Sequence, residues 1–173
     1  MDGQDDNAAT LAFTHEICAA DNEMLLWLGD AQDAQLSLCN DLEEIADSLP
    51  DHVDTMKCRH MATALLPMIH RLHHFEETVL FPRVERRSRS IAQKEMLDRL
   101  RCEHLEDQGY GEELTETLLR LANRQPVNIE AAGYMLRGFF AGLRRHIAFE
   151  RTHILRNFPA AGMPPQTLDG GCD

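Results

Sequence analysis

No stretch of this 173-residue chain approaches the ~20 consecutive apolar residues needed to cross a bilayer. The N-terminus, MDGQDDNAAT, is acidic and has neither the basic nor the apolar region of a signal peptide. A CxxC pair is missing as well. The five cysteines (Cys18, Cys39, Cys58, Cys102, Cys172) are odd in number and widely spread, which makes neither a disulfide framework nor a thiolate zinc site. These absences lead to the expectation of a reducing, cytoplasmic setting. Basic residues are outnumbered, 17 Lys and Arg against 29 Asp and Glu, and the net charge of −12 excludes the basic face that nucleic acid or an anionic membrane requires. Strand signals are also lacking: there is no sustained alternation, few β-branched clusters and no Asn-Gly turn. GxGxxG, the P-loop, GxSxG and HExxH are all absent.

What remains is helix. Breakers cut the chain at Pro50 in SLPDHVD, where Asp51 is a plausible cap, at Pro82 and ERRSRS, and at NRQPVN. They leave four long segments, about 21–48, 54–86, 91–123 and 129–157. Each carries apolar residues at helical spacing: Leu28, Leu38, Leu42 and Ile45 on the first, and Leu66, Ile69, Leu80 and Val84 on the second. The third has Leu97, Leu100, Leu114 and Leu118, and the fourth Leu136, Phe139, Leu143 and Ile147. Short connections make neighbours antiparallel, so the predicted fold is all-α, an up-down antiparallel four-helix bundle. The expected organisation is an N-terminal extension or short helix over 1–20, the bundle over 21–160 and a disordered tail over 161–173. A weak repeat pairs HHFEETVLF in the second segment with HIAFERTHIL in the fourth.

Polar residues interrupt the apolar rows. His70, His73 and Glu77 follow Leu66 on one face of the second segment, and His146 and Glu150 follow Leu143 in the fourth. In the third, His104 and Asp107 continue the row of Leu97 and Leu100. His73, His104 and His146 each lie about 20 residues from their turns, which at about 1.5 Å per residue is one height in the bundle. One HxxxE pair alone is as well read as a hydrogen-bonded core pair. Two such pairs, level with a third histidine, point to a cation held by imidazole and carboxylate, a set that suits iron, manganese or zinc. Buried carboxylates without such a partner cost several kcal/mol or take up a proton.

HxxxE followed by LFP, then EHLED, then a second HxxxE resembles the hemerythrin-like (HHE cation-binding) family, over roughly residues 25–157. The resemblance implies a four-helix bundle with two non-haem iron ions in its core, manganese and zinc being acceptable to the same ligand types. It implies His73, His104 and His146 as terminal ligands, Glu77 and Glu150 as bridging carboxylates, and Asp107 as a further ligand or a partner behind the ligands. It implies binding or sensing of O2, nitric oxide or iron, by a binding protein rather than an enzyme; the expected assembly is a monomer or homodimer. The family also takes a histidine from its first helix. Here that height reads WLGDAQDAQ, residues 27–35, and His15 lies too far out to serve. Gln32, Gln35 or Asp30 is left to contribute, or the first helix gives nothing; His70 or His74 is then a candidate to fill the gap. The competing readings are a di-metal oxidase or peroxidase, and a metal-free or single-zinc interaction module.

Overall fold

The computed structural model describes the backbone of residues 5–88, 90–155 and 158, with side chains from residue 19 onward. Four rods run antiparallel. Helix α1 spans Asp5–Ser48. The second rod is α2, Thr55–Phe75, continued through one π-type turn, Glu76–Leu80, into the short helix α3, Phe81–Arg87. Helix α4 spans Ile91–Ala122 and α5 spans Ile129–His153. Among the described residues there is no strand, and no helix is long and apolar enough to cross a membrane.

The expected N-terminal extension is not a separate helix. No glycine or proline stands between Thr10 and Met24, so nothing stops α1 from starting at Asp5. The expected tail, 161–173, lies outside the described residues. Helix starts follow side-chain capping. Asp54 accepts from the backbone N–H groups of Met56 and Lys57, Ser90 from that of Gln93, and Asn128 from that of Ala131. Asp54, not the predicted Asp51, caps α2, because its carboxylate stands two and three residues before the N–H groups that need an acceptor.

The rods pack as a ring: α1 touches α2 and α5, and α4 touches α2 and α5. Their interior is not one continuous core. One apolar cluster holds Leu38, Leu42, Ile69, Leu114, Leu118 and Leu143 at the end with the 49–54 and 123–128 connections. A second holds Leu28, Leu72, Phe81, Leu97, Leu100 and Ile154 toward the other end. Between them every rod changes character at one level. Among the described residues, Gln32 and Gln35, His73 and Glu76, His104, and His146 and Glu150 are the buried polar ones, and all seven fall in this layer. A bundle of this size needs its apolar rows, so interrupting all of them at one height destabilises the fold unless the polar groups find partners.

Candidate metal centre

Helix α5 supplies its part with regular geometry. Leu136, Phe139, Leu143, His146 and Glu150 are all buried, steps of three and four returning to one face. Helix α4 does the same with Leu97, Leu100 and His104. In the second rod the phase differs from the sequence reading. The buried row runs Leu65, Ile69, Leu72, His73 and Glu76, while Leu66 is half-buried and His70 and Glu77 are exposed. Glu76 is 0% exposed and the Glu77 side chain 42%. From His73 a step of three and a step of four both return near the same side, and the row set by Leu65, Ile69 and Leu72 selects three. The π turn after Glu76 then takes up an extra residue, which carries Leu80, Phe81 and Val84 back into the core.

One ligand-type atom from each of His73, Glu76, His104 and His146 lies within 4.8 Å of the other three. The imidazoles pack closely: His73 stacks on His104 with centroids 3.9 Å apart and planes at 9°, and His146 stands 5.3 Å from His104 and 5.9 Å from His73. Nε2 of His104 is 3.3 Å from Glu76 Oε2, and Nε2 of His146 is 3.5 Å from Glu150 Oε1. Neither contact has hydrogen-bond geometry. The three Nε2 atoms, both oxygens of Glu76, Oε1 of Glu150 and Oδ2 of Asp107 are buried without a hydrogen-bond partner. Seven orphaned lone-pair donors in one dry layer are what a cation satisfies, and the mixture of imidazole and carboxylate fits iron, manganese or zinc.

The outward faces of the rings are tied down. His104 Nδ1 is 2.7 Å from Glu77 Oε1, and His146 Nδ1 is 3.1 Å from Glu103 Oε2, while Arg99 Nε donates to the other oxygen of Glu103, Oε1, at 2.8 Å. Helix α1 contributes an amide. Arg151 Nε donates to Gln32 Oε1 at 2.9 Å, and Gln32 Nε2 donates to Glu150 Oε2 at 3.2 Å. The arginine fixes which end of that amide faces the carboxylate, so Gln32 presents N–H and not oxygen to the centre. Gln35 is buried beside it, its Nε2 unpartnered.

Electrostatics follow the burial. Desolvation, with the neighbouring His104, His146 and His70, pushes His73 down to about 2, and desolvation lowers His104 despite its bond to Glu77. Both are thus held neutral, the form in which imidazole binds a metal. Burial lowers His146 too, but its contacts with Glu150 and Asp107 outweigh that and the net direction is up. Burial and then the negative charge of Glu150 hold Glu76 well above its ordinary value, and burial raises Asp107.

Of the sequence-predicted residues, the structure brings together His73, His104, His146 and Glu150, with Asp107 half-buried at the edge. Glu77 does not take the interior place expected of it; Glu76 does. His70 and His74 are exposed and, with Glu77, line a shallow pocket of about 260 Å³ outside His73 and His104. They do not replace the missing first-helix histidine, because their positions on α2 face away from the core. Asp30 is exposed, and the side chain of His15 lies outside the described residues. Glu76 had a signal in the Leu65, Ile69, Leu72 row. Glu103 had none, since its partner lies 43 residues away on another helix.

A family model described as the hemerythrin HHE cation binding domain matches residues 27–157. No curated protein and no solved structure matches the chain.

Proposed function

This chain belongs to the hemerythrin HHE cation-binding family, and on that footing we propose that its buried layer holds two non-haem iron ions and binds O2 or nitric oxide there. The observation that carries the reading is the set of three orphaned imidazole nitrogens and orphaned carboxylate oxygens converging between two apolar clusters. His73, His104, His146 and Glu76 are close enough to share one ion. The second oxygen of Glu76, with Glu150 Oε1 and Asp107 Oδ2, is available to another. Iron held by these residues would supply redox chemistry toward a diatomic ligand.

The chain's own residues decide how that position behaves. The apolar clusters above and below exclude bulk water, which suits a small uncharged ligand better than a charged organic substrate. Gln32 ties one oxygen of Glu150 to the first helix and leaves the other free, so Glu150 has a single oxygen to offer. Gln32 offers an amide donor where the family places an imidazole, so the first helix would hold Glu150 in place and would not itself bind the metal.

Elemental analysis of protein purified without chelator tests this directly. Two irons per chain, with near-ultraviolet absorption that changes when O2 or nitric oxide reaches the ferrous protein, is the expected result. One zinc per chain instead supports a single-cation structural site, which the compact four-residue set also fits. A protein that takes up no metal sinks both.

A further inference from the structure

The structure assigns Glu77 and Glu103 as positioning residues that preset two of the histidines for metal, a role that rests on the metal reading above. Each carboxylate approaches its imidazole from the side away from the centre, Glu77 on Nδ1 of His104 at 2.7 Å and Glu103 on Nδ1 of His146 at 3.1 Å. A carboxylate has only lone pairs to offer, so Nδ1 must carry the proton in both rings. In the neutral ring, the form that binds a metal, Nδ1 holds the one N–H and Nε2 keeps its lone pair. In both rings Nε2 is the buried, unpartnered atom that faces Glu76 or Glu150. Tautomer and ring orientation are thus set by the protein before any ion arrives.

Both clamps also cross helix interfaces. Glu77, in the π turn, holds a ring on α4; Glu103, on α4, holds a ring on α5. Arg99 steadies Glu103 from one turn away, at 2.8 Å. The carboxylates therefore fix ligand rings relative to neighbouring rods, not only to their own. Both are partly exposed, with side chains 42% and 30% accessible. Their removal thus leaves no buried group stranded apart from the ring nitrogen they served.

Co(II) is the probe, titrated into metal-stripped full-length protein and followed by its visible absorption. Glu77→Ala and Glu103→Ala are each expected to weaken Co(II) binding by about 10–100-fold and to shift the visible bands, at unchanged stoichiometry. The metal-free melting midpoint should barely move. Glu77→Gln and Glu103→Gln should restore most of the affinity, because an amide oxygen still accepts from Nδ1–H. Alanine variants that bind as tightly as the parent overturn the inference, and so do glutamine variants as weak as alanine. A lost metal equivalent in Glu77→Ala would make Glu77 a ligand and overturn its positioning role. A parent protein that takes up no Co(II) overturns the metal reading itself.

Discussion

Glu76 is the residue at which stability and function pull apart. Its carboxylate is fully buried, between two apolar clusters, and neither oxygen has a hydrogen-bond partner. Burial and the nearby Glu150 charge favour its neutral form, and even a protonated carboxyl leaves an acceptor unsatisfied there. Replacement by an apolar side chain of similar length removes that cost. In metal-stripped protein, Glu76→Met should raise stability by about 1–3 kcal/mol, measured by denaturant unfolding. The same variant should bind metal far more weakly. A Glu76→Met protein that is less stable than the stripped parent would mean that this carboxylate has a protein partner in solution, and the case for a cation at this place would fail.

At the scale of elements, the rods are positioned by their ends and apolar rows, while the centre depends on the middle layer alone. Asp54 caps α2 with two backbone bonds, at 2.9 and 3.0 Å, on the far side of one apolar cluster from His73. Asp54→Ala should therefore cost about 0.5–2 kcal/mol in unfolding free energy. Metal affinity, read in the same preparation, should not change. A joint loss would show that fraying at the start of α2 reaches the ligand layer. The π turn acts differently: it lies inside that layer and sets which face of the rod follows Glu76. Leu80, Phe81 and Val84 return to the core because of it, so the second apolar cluster is continuous with the ligand row on the same rod.

For the molecule as a whole, a polar layer between two apolar clusters makes the fold depend on what fills the layer. Metal that binds the folded chain and not the unfolded one adds stability by mass action, about 2.7 kcal/mol when free metal is a hundredfold above its dissociation constant. For a domain of this length that corresponds to roughly 5–10 °C in melting temperature. Calorimetry before and after chelation should show a drop of that size, reversed on adding back iron. An unchanged midpoint would mean that the seven orphaned donors find partners without a cation.

Much of this was legible beforehand because helical periodicity is a local property. Pro50, NRQPVN and the leucine rows marked the rods and their antiparallel order, and equal distances from the turns put His73, His104 and His146 at one height. Those inferences need only the rise and pitch of a helix. Which of two adjacent glutamates enters the core was only half legible. The Leu65, Ile69 and Leu72 row favours Glu76, the Leu66 and His70 row favours Glu77 about 100° away, and packing against the neighbouring rods selects the first. Tertiary packing alone decided that Gln32 meets Glu150 across 118 residues and that Glu103 backs His146 across 43. Contacts between rods depend on relative rotation and height together, and a pattern read along one rod carries only its own.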